Sequence, residues 1–190
     1  MSQRAEQMSG SVSSAARSVG FDDVAVAAVE RALALAMRPR VQHLDDDHHP
    51  AFLHPGRSAL VLLRDVGAVD PSVVLVAVLH ESTDPALRVA PDELAESVGP
   101  ATAAAVGAIP LPGDEQLVER LISLGPGSSL AALAERLDQL RHLHLRDDLA
   151  DGWADAHEEV TRAWLPFAAR THQQLAVRYA HWARTFVRRI

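Results

Sequence analysis

From residue 21 onward, apolar side chains return every three or four positions and do not alternate, so the pattern predicts helices throughout and no strand. A first helix is expected from about Asp22 to Met37, with Val24, Val26, Ala27, Val29, Ala32, Leu33 and Leu35 on its apolar face and Pro39 stopping it. The helical pattern resumes from Arg57 to Val66. Asp70-Pro71 then opens the run SVVLVAVLHE, with the proline where a first-turn residue loses no hydrogen bond. That run ends in His80 and Glu81, its first polar pair. Short helices are expected from Asp92 to a stop at Gly99-Pro100 and from Ala101 to Ala108, before a turn at Pro110 to Gly113. Another covers Asp114 to Leu124. Serines in the Gly125 to Ser129 loop can cap a long helix from Leu130 to about Leu145. The tail from Asp155 to Arg189 is amphipathic and carries Trp164, Phe167, Tyr179, Trp182 and Phe186, which read as packing anchors and not as a stacking platform for bases.

Residues 38–56 break this texture. Arg38, Arg40, His43, His48, His49 and His54 crowd there around Asp45-Asp46-Asp47, punctuated by Pro39, Pro50 and Pro55, and the segment reads as a loop. The first twenty residues, rich in Ser and Ala and lacking a signal-type apolar core, read as a flexible N-terminal arm, residues 1–20, ahead of one helical domain, residues 21–190.

Composition narrows the chemistry. The 190 residues include no cysteine and no lysine, and all 18 basic residues are arginine. Thiol nucleophiles, thiolate-held metals, Schiff bases and the lysine of a nucleotide-binding P-loop are therefore excluded. A net charge of −7 argues against nucleic acid and anionic membranes as partners. The apolar run Val73 to Leu79 is far shorter than the roughly 20 residues of a membrane span, and a cytoplasmic location is expected.

Histidines and carboxylates at helix ends, with no thiolate present, suit a divalent ion held by imidazole and carboxylate. Three places supply such groups: His54-Pro55, His80-Glu81, and Glu135 with Asp138 one turn later. In order along the chain, HP at 54–55, an apolar helix ending in LHE, DELAESVGPATAAAV, LAALAERLDQLRHL and GW at 152–153 resemble the RelA/SpoT-type HD domain. The likeness is to its single-domain alarmone hydrolases and covers residues 20–188. It implies an all-α HD-domain bundle, a single Mn²⁺ or other divalent ion, and removal of the 3′-pyrophosphate from guanosine tetra- and pentaphosphate. A phosphorylated guanine nucleotide is then the expected ligand, and a homo-oligomer is left open.

Carried over position by position, His54 and His80 match the two histidine ligands, while Glu81 and Glu135 stand where the family has aspartates. Each glutamate keeps the charge and reaches one methylene further. The family's catalytic Glu-Asp pair is matched by Asp84-Pro85, which leaves Asp84 to orient or deprotonate water, and its asparagine is matched by Gln139. Arg38 and Arg40 stand where the family meets substrate phosphates, although the nearby Asp45-Asp46-Asp47 would repel a polyphosphate. Pro85 and the two glutamates also leave open a catalytically silent domain that binds a nucleotide or a protein, or a hydrolase with another substrate.

Overall fold

The computed structural model describes residues 3–43, 48–49, 51–110, 116–143 and 152–186, and among these the fold is all-α with no strand. Its helices are α1 (Gln3–Ser18), α2 (Asp23–His43), α3 (His54–Val61), α4 (Pro71–Leu79), α5 (Pro91–Val98), α6 (Pro100–Ala108), α7 (Leu117–Ser123), α8 (Pro126–His142), α9 (Trp153–Glu159), α10 (Leu165–Thr171) and α11 (Gln173–Phe186). No described helix is long and apolar enough to cross a membrane.

The centre is α4. Every residue from Val73 to Leu79 is buried, because α2, α3, α6 and α8 pack around it. A helix that is apolar on all sides can stand only where neighbours cover all of it. Asp70 starts it by accepting the Ser72 backbone N–H at 2.8 Å, as an N-cap should, and Pro71 follows at the first turn.

The N-terminal segment is not a loose arm. Residues Gln3–Ser18 form α1, whose Val12 and Ala16 are fully buried against α2 and α3. Its small residues let the backbone approach closely, an amphipathic signal that the polar serines mask. Gly56 on α3 shows how close: a Cβ there would lie 2.3 Å from Met8 Cγ.

Pro39 does not end α2, which continues to His43 with the proline inside it. A proline removes one N–H and crowds the preceding turn. The Arg40 guanidinium folds back along the same turn and donates from Nη1 to the Ala36 carbonyl at 2.8 Å, one residue beyond the Leu35 carbonyl that Pro39 leaves without its helical donor. Arg38 to His43 are thus helical, whereas Asp45-Asp46-Asp47 lies outside the described residues. The long helix α8 also starts earlier than its serines suggest: Gly125 at φ 95° leads straight into Pro126, and the buried Ser129 hydroxyl bonds the Gly125 and Leu121 carbonyls.

The tail is divided. After α9 a wide turn spans Val160–Trp164, α10 follows, and His172 is extended before α11. The break turns α11 back along α8, where Tyr179 Oη donates to the Leu133 carbonyl at 2.8 Å and Trp182 Nε1 to the Leu140 carbonyl at 2.9 Å. These buried rings anchor α8, the helix that carries Glu135.

Candidate metal centre

Four side chains converge where the start of α3, the end of α4 and the middle of α8 meet. His54 is the first residue of α3, and His80 and Glu81 stand in the tight turn His80–Thr83 that closes α4. Glu135 faces them from α8. Each of the four offers a ligand atom, and these atoms all lie within 4.8 Å of one another. His54 Nε2 is 3.5 Å and His80 Nε2 3.3 Å from Glu135 Oε1.

The far side of each imidazole decides what this face presents. His80 Nδ1 lies 2.7 Å from the Ala77 carbonyl, which can only accept, so the proton sits on Nδ1 and Nε2 turns a lone pair inward. His54 Nδ1 lies 2.7 Å from Asp138 Oδ2 and is fixed in the same way. Three atoms are then left buried with no hydrogen-bond partner: His54 Nε2, His80 Nε2 and Glu135 Oε1. Three electron-rich atoms this close, shut away from water, repel one another unless something positive lies between them. The cluster can hold a metal ion, and its donor set of two imidazoles and two carboxylates is one that hard and borderline divalent ions accept.

Protonation of the rings is the alternative to an ion. Burial by itself would raise the pKa of Glu135, but the His80 and His54 rings, once protonated, hold it at about 2. Burial would lower that of His54, yet its bond to Asp138 and the neighbouring Glu135 carboxylate raise it above the usual imidazole value. Asp138 resists burial too, and hydrogen bonds from His142 and His54, with Arg57 nearby, keep it well below the carboxylate range. A proton on His54 Nε2 relieves one contact in this cluster, whereas a cation relieves all of them.

The sequence places Asp138 one turn after Glu135 among the groups that could suit an ion, without giving it a role. In the fold Asp138 is buried, orients His54, and accepts from Arg57 Nε at 2.9 Å. Its i, i+3 spacing from Glu135 was the available signal, since both then share one face of α8. Glu81 is held from behind by Arg40, which is 2% exposed and donates from Nη2 to Glu81 and from Nε to the Ala51 carbonyl at 3.2 Å. Burial lowers the Arg40 pKa to about 10, partly offset by the charge of Asp84.

The arginines expected to meet substrate are accordingly committed elsewhere. Arg40 is interior and grips Glu81. Arg38 reaches across to α5, where both of its terminal nitrogens bind the Glu93 carboxylate, one of them at 2.7 Å. Both follow from α2 running on past Pro39, which turns a supposed loop into a helix face packed on α4 and α5. Asp84 Oδ1 accepts the Ala86 N–H at 2.8 Å, and its carbonyl closes the turn to Leu87.

Beside the centre is a cavity of about 280 Å³ lined by His80, Glu135, Gln139, Arg136, Glu159 and Trp164 over an apolar floor. Gln139 lines it beside His80 and Glu135, and Asp84 is not in this lining. Sequence reasoning missed Arg136 and Glu159. Arg136 donates from Nη1 to Gln139 Oε1 at 3.1 Å and from Nη2 to Glu159, while Trp164 Nε1 donates to the other Glu159 oxygen at 2.7 Å. The wide turn after α9 puts Glu159 and Trp164, five residues apart, on the same side. No family profile, curated protein or solved structure matches the chain.

Proposed function

We propose that the protein is a metal-dependent phosphohydrolase of the HD kind, with His54, His80, Glu81 and Glu135 holding one divalent ion, Mn²⁺ in the first instance. The observation that carries this reading is the convergence of three buried, partnerless atoms, His54 Nε2, His80 Nε2 and Glu135 Oε1, on one point. When bound, the ion would act as a Lewis acid toward a phosphoryl oxygen and lower the pKa of a bound water.

The chain's own groups do the rest. Asp138 and the Ala77 carbonyl hold both imidazoles with Nε2 inward, and Arg40 holds Glu81, so the ligands are oriented before any ion arrives. Gln139 and Arg136 line the cavity beside Glu135 and can receive phosphoryl oxygens, and its apolar floor limits access of bulk water.

The resemblance makes guanosine tetraphosphate the first substrate to try, with pyrophosphate release as the readout after loading with Mn²⁺. Absence of turnover across several divalent metals and phosphorylated nucleotides would sink the reading. A second reading, a domain of this kind that binds without hydrolysing, is favoured by Pro85 in place of a carboxylate and by Asp84 standing outside the cavity lining.

A further inference from the structure

The cavity beside the metal centre restricts what can react there, an inference that rests on the metal-centred hydrolysis proposed above. Its volume of about 280 Å³ falls just under the roughly 300–1,000 Å³ of sites that bury a drug-sized ligand. Its floor is apolar, with Ile109, Leu117, Leu121 and the Trp164 ring. The cation among its described lining residues is already matched: Arg136 is paired with Glu159 in the same wall. Arg40, Arg57, Arg38 and Arg141, on or beside the helices of the cluster, are paired with Glu81, Asp138, Glu93 and Asp65.

Among the described residues, few donors remain for a substrate. The Arg136 Nε–H lacks an acceptor but is buried away from the cavity surface. What is left is the second N–H on each Arg136 terminal nitrogen and the amide nitrogen of Gln139, whose oxygen already accepts from Arg136. Together with an ion at the cluster, these suffice for the oxygens of a single phosphoryl group. A nucleotide bearing two diphosphates brings far more charge and far more acceptors than these groups can meet.

We propose that the substrate is a phosphate monoester with a small, flat organic group that lies against Trp164, Ile109 and Leu121, and not a polyphosphorylated nucleotide. In the reaction the water oxygen forms a bond to phosphorus and the ester P–O bond breaks. One water proton ends on the departing alcohol oxygen and the other stays on the phosphate, so monoester and water give alcohol and hydrogen phosphate.

The test compares kcat/KM of the Mn²⁺-loaded full chain for 4-nitrophenyl phosphate, nucleoside 5′-monophosphates and guanosine tetraphosphate. Calorimetric binding of a non-hydrolysable nucleoside phosphonate is measured alongside. A monoester is expected to exceed the tetraphosphate by at least about tenfold, and the phosphonate to bind and be displaced by inorganic phosphate. Glu159→Gln, which frees the charge of Arg136 into the cavity while keeping an acceptor for Trp164, is expected to narrow that preference several-fold with Mn²⁺ affinity unchanged. A ratio below tenfold, or faster turnover of the tetraphosphate, overturns the monoester proposal and leaves the hydrolase reading intact. Hydrolysis of neither class by protein that calorimetry shows to hold Mn²⁺ overturns both.

Discussion

Asp138 and Arg40 do for the two sides of the centre what its ligands cannot do for themselves. Asp138 keeps the His54 proton on Nδ1, and an asparagine of the same size could present its amide nitrogen instead and lose that control. Asp138→Asn should therefore weaken Mn²⁺ binding by about 10–100-fold, the usual consequence of losing a carboxylate behind a ligating histidine, and an unchanged calorimetric Kd would show that His54 needs no orienting partner. Arg40 neutralises Glu81 in the interior, so Arg40→Met should cost about 3 kcal/mol of unfolding free energy by leaving a carboxylate unpaired. Part of that loss should return when Mn²⁺ is added, because an ion would then neutralise Glu81. If urea melts show the same deficit with and without metal, Glu81 is not a ligand. At this scale the sequence was a good guide to which four side chains cluster and a poor one to their supports. His54, His80, Glu81 and Glu135 each sit at a helix end or on an inward face. The partners that hold them, Arg40 across 41 residues and Asp138 across 84, are joined only by folding.

Among the elements, α1 and α2 depart furthest from their sequence pattern. In α1, serine and alanine alternate too freely for a hydrophobic stripe to stand out, yet small side chains are what a close helix crossing requires. Removing residues 1–18 would uncover the face of α2 and α3 that Val12 and Ala16 cover. A single fully buried valine is worth about 1.5–3 kcal/mol, and at roughly 2–4 °C per kcal/mol the melting temperature should fall by more than about 5 °C. A truncated chain that melts within about 2 °C of the full one would return the segment to the status of a loose arm. Gly56→Ala tests the same crossing from the other side: the added methyl must displace Met8 at Cγ and Sδ, 2.3 and 2.8 Å away, at a cost of about 1–3 kcal/mol. In α2 the proline misleads because its rule is local, while the packing of this helix against α4 and α5, which holds it past Pro39, is set by tertiary structure.

For the molecule as a whole, the buried charges set a pH window for the metal-free protein. Glu135 moves from 4.5 to about 2 and Asp138 is lowered as well, so the stability they contribute is complete above about pH 4.5 and is lost as pH falls toward 2. His54 is raised above 6.5, so its contribution is complete below that value and fades as pH rises through its folded-state pKa. Melting temperatures of the metal-free protein should peak between about pH 4.5 and 6.5, and a profile flat from 3 to 8 would contradict the arrangement. Saturation with Mn²⁺ at about 100 times its Kd adds about 2.7 kcal/mol, which for a chain of this size raises the melting temperature by about 5–10 °C, reversibly on chelation. What the sequence determined by itself is the helical class and the central apolar run, together with the histidines and carboxylates that an ion could use. The first two follow from periodicity and from punctuation by proline and glycine, which act over a few neighbours in the chain, whereas the grouping of His54, His80, Glu81 and Glu135 rested on the order of motifs along it. The tertiary structure alone decided that α1 belongs to the core and that Arg40 faces inward. It also decided that Asp138 stands behind His54, and that the cavity carries an arginine already matched by Glu159. Each of these depends on residues distant in sequence meeting in an interior where an unpaired charge is costly, and local pattern carries no record of which partner will arrive.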